Sequence, residues 1–395
     1  MQNNPRHSVW ALLLALCFLA TIPGCASPRS QEQAPDPAMA EVQVLNELLV
    51  SYETAMADGQ PAKAREAAEQ LLARDPAPWA QFMLAAAWAA EGNRDEAFRV
   101  LSIAIESFAR DPVGAGPVAI DYANSLGSAD NSSWESLRSD PRFPTLVARA
   151  KAVAWRPEPL AFDGGPAEEP VRMKRPAIGS EPLRSLREAY KLDALVAGAT
   201  DDLDRVRRMC RWVHERTSHQ GWNGELPSDA LGLLQIAEKG GQWRCVEYGI
   251  VMAECLNAVG IPARTVGARV RNVETELFGA GHVFAEAWLD DRKRWVFVDA
   301  QMDIVGVGSD GTPMNSVEFR DSLSQPNPPI AYHPALALCL YYFDSNFDAA
   351  DGTRTSIMLG PIGSKVPTKF QRIHPSPAPD RFTHRVADFY AAPAP

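Results

Sequence analysis

The spacing of hydrophobic residues changes character three times along the chain. Residues 9–20 form an unbroken apolar run, and between about residues 41 and 154 apolar residues, mostly Ala and Leu, recur with the period of an amphipathic helix. A stretch dense in Pro and Gly, residues 155–182, interrupts this period. From residue 183 helical patterns return and then give way to strand-like segments. The pattern predicts an all-α domain at 41–154, a linker or irregular edge at 155–182 and an α+β domain at 183–395.

The first apolar run is typical of a secretory signal. It follows a short basic segment and is too short to span a bilayer comfortably. The motif Ile-Pro-Gly-Cys at 22–25 resembles the lipobox of bacterial lipoproteins, although Pro23 departs from the usual small or hydroxyl residue. We expect residues 1–24 to be a lipoprotein signal peptide, Cys25 to carry the lipid and residues 25–40 to form a flexible tether. The alternative is an ordinary signal peptide with a chance cysteine.

The net charge of the chain argues against two classes of binding partner. The chain has 49 acidic and 39 basic residues, and the resulting formal charge of −10 disfavours binding to nucleic acid or to an anionic lipid surface. We therefore expect no nucleic-acid partner and attachment to the membrane by the lipid anchor only. These features predict a lipid-anchored protein of the cell envelope that faces the periplasm, or alternatively an exported protein.

The helical region contains an internal repeat. Gly59 and Gly92 are 33 residues apart, as are Ala64 and Ala97, and the sequence Ala-Arg-Asp-Pro ends both copies. This pattern resembles tetratricopeptide repeats, in which paired helices touch through small residues. The residues in that family's packing positions are Leu84, Ala85, Trp88, Ala97, Leu101 and Ala104. The resemblance implies a protein partner for this domain. The alternative is an unspecialised helical bundle that spaces the second domain from the membrane.

The segment around Cys245 places a thiol at a helix N-terminus. Residues 240–244 form a Gly-rich turn, and residues 246–259 are helical until Gly260 and Pro262 stop the helix. Backbone N–H groups and the helix dipole at such a position favour the thiolate, which is the nucleophilic form. Taken alone, however, a cysteine that opens an apolar helix is more typical of a small core residue.

A predicted hairpin brings a histidine and a carboxylate together. Residues 281–289 and 294–300 have strand patterns and flank a polar turn. A four-residue turn would place Phe284 opposite Asp299, so that His282 lies diagonal to Asp299 on the same face. A two-residue turn would place His282 and Asp299 directly opposite each other. Both registers allow the carboxylate to hold the imidazole.

The order and spacing of these residues form one motif. A cysteine helix leaves through Ala-Val-Gly-Ile-Pro-Ala-Arg at 258–264, a strand then opens with His, and Trp-x-x-x-Asp follows. The motif residues are Cys245, His282, Phe284, Glu286, Trp295 and Asp299. The motif resembles the transglutaminase-like superfamily over roughly residues 183–305. This implies a papain-like core with the cysteine helix packed on an antiparallel sheet. The chain departs from the family after the Asp, where Ala300 stands in place of the usual Pro.

The resemblance implies an enzyme that works through a cysteine thioester. Cys245 would attack an amide or peptide carbonyl, His282 would transfer the proton and Asp299 would orient the imidazole. We expect a protein or peptide substrate, with an amine or water as acceptor. The Cys245 backbone N–H is the first candidate for stabilising the oxyanion, and the second is open among four side chains: Trp222, Gln235, Gln242 and Trp243. The alternative function is a non-catalytic envelope binding or scaffold protein that uses the helical repeats.

The remaining polar clusters do not predict a metal site, and we expect no cofactor. Cys210, His214 and His219 have near-helical spacing, but the pattern misses the zincin motif by one residue, so we predict a packed Cys210 and a His219 that lines the substrate cleft with Trp222. The acidic residues at 344–348 imitate the start of a calcium loop without its Gly and Glu, so a solvated turn is expected. We expect one further helix or strand at 334–343 and a Cys245 outside any disulfide.

Overall fold

The computed structural model describes residues 37–128, 131–153, 157–220, 226–277, 279–372 and 374–394. The predicted signal peptide, the lipid attachment at Cys25 and the tether up to residue 36 lie outside these ranges. The first helix begins at Pro37, so the last residues of the predicted tether are helical. None of the helices in the described ranges combines the length and the apolar content that crossing a membrane requires.

The chain divides into two compact units. Among the described residues, one unit holds residues 37–153 with the short segment around Arg372, and the other holds residues 157–370 and 375–394. The first unit consists of helices α1 (Pro37–Ala57), α2 (Pro61–Arg74), α3 (Pro78–Glu91), α4 (Arg94–Arg110), α5 (Gly116–Ser125) and α6 (Arg142–Ala152), with a 3-10 helix at Ser132–Leu137. The all-α N-terminal region is therefore confirmed.

Local sequence signals explain where these helices begin and end. Proline occupies the first turn of α2 and of α3, where its missing N–H costs nothing. Gly92 ends α3 with a φ of 83°, a conformation that glycine adopts without strain. The Asn93 side chain then accepts a hydrogen bond from the Glu96 N–H and caps α4. The repeated small residues Ala64 and Ala97 are both fully buried, so they allow neighbouring helices to approach closely.

The second unit contains helices and a large sheet. Its helices are α7 (Glu181–Ala189), α8 (Leu192–Val196), α9 (Asp202–His214), α10 (Ala230–Glu238), α11 (Cys245–Ala258), α12 (Ser316–Leu323), α13 (Pro334–Cys339) and α14 (Val386–Phe389). The strands follow α11 along the chain and are β1 (Ala263–Arg269), β2 (Gly281–Leu289), β3 (Arg294–Asp299), β4 (Ile304–Val305), β5 (Tyr342–Asp348), β6 (Arg354–Leu359), β7 (Lys369–Phe370), β8 (His374–Pro375) and β9 (Arg381–Thr383). Seven strands form one sheet in the order β4-β3-β2-β1-β5-β6-β9.

The cysteine helix packs on the centre of this sheet, as predicted. All neighbouring strands are antiparallel except β6 and β9, which pair in parallel. One face of β2, with Ala285 and Ala287, shares a buried core with apolar residues of α11. Gly249 of α11 has no room for a side chain, because an added Cβ would lie 2.9 Å from a methyl group of Val283 and 3.2 Å from the Phe284 carbonyl oxygen. The helix therefore lies directly against the strand that carries His282.

The Pro- and Gly-rich segment predicted as a linker or irregular edge packs as an edge of the second unit. The Lys174 N–H donates to the Asp348 carbonyl at 2.8 Å, and the Ala350 N–H donates to the Arg172 carbonyl at 3.0 Å. Arg175 also pairs with Asp290 at 2.7 Å. These hydrogen bonds pair backbone groups of the segment with residues at strand ends. The high Pro and Gly content therefore indicates irregular backbone here and not a free linker.

The C-terminal part supplies elements that the sequence pattern did not resolve. Residues 334–343 form both a short helix, α13, and the start of strand β5. The prediction of a solvated acidic turn at 344–348 is wrong, because these residues belong to β5. Asp344 pairs there with Arg269 of β1 at 2.9 Å. The alternation of acidic residues with Ser345 and Phe347, which are buried, is the period of a strand with one exposed face.

Candidate active site

Cys245 is the first residue of α11 and is almost completely buried, with 2% of its surface exposed. The turn before it is fixed by a short-range contact, in which the Glu247 carboxylate accepts a hydrogen bond from the Arg244 backbone N–H at 2.7 Å. The same carboxylate pairs with the buried Arg244 guanidinium. A carboxylate in the first turn also suits the positive end of the helix dipole. The sulfur is therefore held at a rigid helix start, as the sequence predicted.

A neighbouring segment braces the turn that carries Cys245. Residues 217–220 run parallel to Trp243, with the Trp243 N–H donating to the Ser218 carbonyl at 3.3 Å and the Gln220 N–H donating to the Trp243 carbonyl at 2.8 Å. The Tyr248 hydroxyl donates to the Thr217 carbonyl at 2.6 Å. This bracing brings His219 beside the residue two positions before Cys245.

The hairpin adopts the register of the four-residue turn. Ala285 lies opposite Val298, and continuation of this pairing places Phe284 opposite Asp299. The diagonal contact follows, with 2.8 Å between His282 Nε2 and an oxygen of Asp299. Both side chains are buried, with 2% and 1% of their surfaces exposed. The prediction that His282 and Asp299 meet across the hairpin is confirmed.

The same imidazole also contacts the thiol. His282 makes a side-chain hydrogen bond with Cys245. Because Asp299 occupies Nε2, the nitrogen that remains for the sulfur is Nδ1. Burial lowers the pKa of His282, but the charge and hydrogen bond of Asp299 and the contact with Cys245 outweigh it and raise the pKa to about 10. These contacts favour the charged imidazolium, and the three predicted residues form one connected group.

Asp299 has a further partner that the sequence analysis missed. The Tyr332 hydroxyl donates a hydrogen bond to the same Asp299 oxygen at 2.7 Å. The ring of Tyr332 packs edge-on against Phe319, with ring centres 5.2 Å apart. Tyr332 lies in an irregular segment between α12 and α13, where no periodicity links it to the hairpin. Only the sequence position of a tyrosine within an otherwise Pro-rich stretch could have drawn attention to it.

His219 lies close enough to His282 and Asp299 for their charges to shift its pKa. Burial, followed by repulsion from His282, lowers the pKa of His219 to about 4, while Asp299 acts in the opposite direction. The side chain is half-buried and neutral at physiological pH. That His219 lines a substrate cleft stays a prediction, and its predicted neighbour Trp222 lies outside the described residues.

The hydrogen bonds of the structure bear on the side chains predicted as candidates for the second oxyanion donor. The Trp243 indole N–H donates to the Leu233 carbonyl at 3.2 Å in the core, so its candidacy was wrong. Gln235 is exposed on α10, and the Gln242 amide donates to the Ser218 hydroxyl at 2.5 Å. The backbone N–H of Cys245 lies in the first turn of α11 and remains the first candidate donor. The identity of the second donor stays open.

Two residues that resembled metal ligands hold the chain after Asp299. The Cys210 thiol is buried and contacts the carbonyl oxygens of Asp299 and Ile304, each at 3.8 Å. His214 Nδ1 donates to the carbonyls of Ala300 and Gln301 at 3.2 and 3.1 Å. Within the ranges that the structure describes, no cluster of three or more His, Cys, Asp or Glu side chains could hold a metal ion.

Glu286, another motif residue, has a structural role. Its carboxylate is completely buried and pairs with Arg264 at 2.8 Å. It also accepts hydrogen bonds from the Ser316 backbone N–H at 3.0 Å, from the Ser316 hydroxyl and from the Tyr390 hydroxyl at 2.9 Å. Because all lone pairs face donors, this buried charge is compensated and anchors α12 and the C-terminal segment to β2.

Comparison with known families finds a match to the Transglutaminase-like superfamily at residues 190–300. The matched region contains Cys245, His282 and Asp299 and supports a cysteine-type enzyme. It spans well under half of the chain, so it identifies a transglutaminase-like domain within the protein. Residue 300 is also the point at which the match ends, before α12 and Tyr332.

Comparisons with whole proteins and with solved structures give no further support for a function. No curated protein matches the chain. Among solved structures, a proposed cysteine protease from Cytophaga hutchinsonii is 16% identical, and the alignment covers 34% of this chain and 42% of that chain with a TM-score of 0.25. The chain thus spans less than half the length of the structure it matches, and a likeness of this size carries no argument about fold or function.

Proposed function

We propose that the second unit is an acyl transferase or hydrolase that acts on amide or peptide carbonyls through a thioester on Cys245. The observation that carries this proposal is the buried, hydrogen-bonded group of Cys245, His282 and Asp299, in which the imidazole bridges the thiol and the carboxylate. The match of residues 190–300 to the Transglutaminase-like superfamily supports it. We further propose, from the sequence of residues 1–40, that the protein is exported and lipid-anchored at Cys25.

The geometry suits a two-step acyl transfer. A protonated imidazole beside the sulfur stabilises the thiolate, which attacks the carbonyl carbon and forms a C–S bond. The carbonyl oxygen becomes negative and is stabilised by the Cys245 backbone N–H. His282 Nδ1 then gives its proton to the nitrogen of the leaving amine, the C–N bond breaks and the thioester remains.

The second step releases the acyl group. An amine or water attacks the thioester carbon while neutral His282 accepts its proton, and the thiolate leaves together with regeneration of the imidazolium. An amine acceptor gives a cross-linked product, whereas water gives deamidation or proteolysis. Asp299 remains ionised and holds the ring so that the same nitrogen faces the sulfur in both steps.

Thiol labelling distinguishes this enzyme from the alternative, a non-catalytic binding protein. Burial raises the pKa values of the Cys210, Cys255 and Cys339 thiols, so these residues serve as unreactive internal standards. Iodoacetamide should alkylate Cys245 at least about 10-fold faster than Cys339 at pH 7, since the thiolate is the reactive form. The measurement is peptide mass spectrometry over a time course.

Two variants test the assignment of roles. His282→Ala should reduce Cys245 alkylation to the rate of the internal standards, and Cys245→Ala or His282→Ala should abolish acyl transfer because nucleophile and base act as a unit. Trapping of an acyl adduct on Cys245 by mass spectrometry would identify the donor. Equal alkylation of Cys245 and Cys339 in the wild type would instead favour the binding protein.

A further inference from the structure

The Asp299 carboxylate is held at three points. One oxygen accepts from His282 Nε2 at 2.8 Å and from the Tyr332 hydroxyl at 2.7 Å. The other accepts from the Met302 backbone N–H at 3.3 Å. Two donors on one oxygen and one on the other prevent rotation of the carboxylate about its last bond. A hydroxyl bound to a buried charged acceptor is also a strong hydrogen bond.

The position of the Tyr332 hydroxyl is itself fixed by aromatic packing. The Tyr332 ring meets Phe319 and Phe297 edge-on, with ring centres 5.2 and 5.9 Å apart. Phe297 and Phe319 are stacked at 4.2 Å, and Phe284 packs on Phe297 at 4.6 Å. Edge-to-face and stacked geometries are the favoured arrangements of such rings. The rings of β2, β3 and α12 therefore determine where the Tyr332 oxygen lies.

Tyr332 belongs to a part of the chain beyond the transglutaminase-like match. The match ends at residue 300, and Tyr332 follows α12 in the segment that leads to α13. The Asp299 oxygen that accepts from the imidazole is thus also bound by a residue outside the matched region. Because this carboxylate is only 1% exposed, loss of the tyrosine hydroxyl would leave it with one donor fewer and no water to replace it.

We propose that Tyr332 is a positioning residue, whose hydroxyl fixes the Asp299 carboxylate against His282 and whose ring shields the pair from water. The inference rests on the proposed function. It means that the site acts as a connected group of four side chains, and that the segment after α12 is required for activity as well as for folding. Tyr332 touches no reacting atom and acts through Asp299.

The experiment uses 4-nitrophenyl acetate as an acyl-donor probe and follows release of 4-nitrophenolate. Tyr332→Phe removes only the hydroxyl and should lower the rate constant of Cys245 acylation about 10-fold, the effect of losing one charge-assisted hydrogen bond, with KM unchanged. Tyr390→Phe is the matched control, because its hydroxyl also donates to a buried carboxylate of β2, that of Glu286, outside the site. This control should keep the acylation rate constant of the wild type.

A double-variant cycle separates positioning from a general structural role. If Tyr332 acts through Asp299, Tyr332→Phe should have no further effect on the acylation rate constant in the Asp299→Ala background. Single-turnover measurements with excess enzyme keep slow variants measurable. If circular dichroism shows that Tyr332→Phe is unfolded, Phe319→Leu replaces it as the test variant. Phe319→Leu keeps the Tyr332 hydroxyl but loosens the packing of the Tyr332 ring. It should lower the same rate constant at unchanged KM.

The outcomes distinguish the inference from the proposed function. If the wild type and Cys245→Ala release nitrophenolate equally, the proposed function fails. If the wild type is active but Tyr332→Phe behaves like Tyr390→Phe, or keeps its full effect in the Asp299→Ala background, the positioning role of Tyr332 is refuted and the proposed function stands.

Discussion

Asp299→Asn tests whether the buried carboxylate sets the charge of the imidazole. In the wild type, burial lowers the pKa of His282, and Asp299 and Cys245 outweigh burial to raise it to about 10. Asn preserves the shape of the side chain but removes the negative charge. Burial should then prevail, so the pKa of His282 should fall and the ring should be neutral at pH 7. The variant would lose the imidazolium that stabilises the thiolate of Cys245.

The size of the effect follows from the burial of both partners. His282 and Asp299 are 2% and 1% exposed, so water does not screen the loss of the carboxylate charge. Each unit by which the pKa of His282 falls below the working pH lowers the imidazolium fraction about tenfold. The equivalent change in a serine triad lowers kcat about 10⁴-fold. We therefore expect acyl transfer by Asp299→Asn to fall by about 100-fold or more.

The assay is the rate of Cys245 alkylation by iodoacetamide as a function of pH. The titratable groups that face the imidazole are Asp299 on β3, Cys245 on α11 and His219, whose pKa of about 4 leaves it neutral across neutral pH. Because the pKa of His282 in the folded protein is raised to about 10, the imidazolium persists across neutral pH and is lost as the pH rises through that value. Wild-type alkylation should thus stay fast and nearly constant across neutral pH.

Asp299→Asn should behave differently at neutral pH. Its Cys245 should react slowly there, because a buried thiol without an imidazolium beside it ionises only at alkaline pH. His282→Ala is the control and should give the same profile as Asp299→Asn. Identical pH profiles for the wild type and Asp299→Asn would refute the reasoning, because the carboxylate would then have no influence on the charge of the ring.

Four further predictions concern other parts of the chain. A clickable fatty acid should label the wild type and not Cys25→Ser; absence of label from both, with the protein soluble in the periplasm, would disprove the lipid anchor. A fragment of residues 40–154 should give a helical circular-dichroism spectrum and melt cooperatively, whereas a disordered spectrum would mean that these helices need the second domain. Cys255→Ser should retain turnover, because Cys255 lies about 15 Å further along the helix that begins with Cys245; an inactive but folded Cys255→Ser beside an active Cys245→Ala would overturn the choice of nucleophile. Arg264→Leu should lower the free energy of unfolding in urea by about 3 to 5 kcal/mol, since it leaves the buried Glu286 without its ion pair, while Arg354→Leu, from an exposed pair, should stay within about 1 kcal/mol of the wild type.

The parts of the site that sequence could predict are those fixed by local structure. A helix that begins at Cys245 follows from a Gly-rich turn before it and from Gly260 after it. The contact between His282 and Asp299 follows from hairpin geometry, in which both possible turn lengths place the two residues within reach. Such short-range constraints leave few arrangements, and the structure adopts one of the two that the pattern allowed.

The missed parts depend on long-range packing. Tyr332 reaches Asp299 only because α12 turns the chain back over the hairpin, and no period in the sequence encodes that return. The indole of Trp243 was a plausible oxyanion donor by its proximity to Cys245, but its orientation was decided by the Leu233 carbonyl in the core. The prediction of a turn at 344–348 was wrong because it relied on the charge of these residues. The alternation of buried side chains there is that of a strand, β5.

The motif residues of β2 explain why the site depends on the C-terminal elements. His282, Phe284 and Glu286 alternate along the strand and therefore share one face of the sheet. Phe284 anchors the aromatic cluster that positions Tyr332, and Glu286 binds Ser316 at the start of α12 as well as Tyr390 near the C-terminus. The donors that this face meets beyond residue 300 offset the cost of burying the Glu286 charge, and the rings there add favourable packing on Phe284. Phe284 of the motif thus couples the site to α12 and to the segment of Tyr332, whereas Glu286 stabilises the fold of the last third of the second unit.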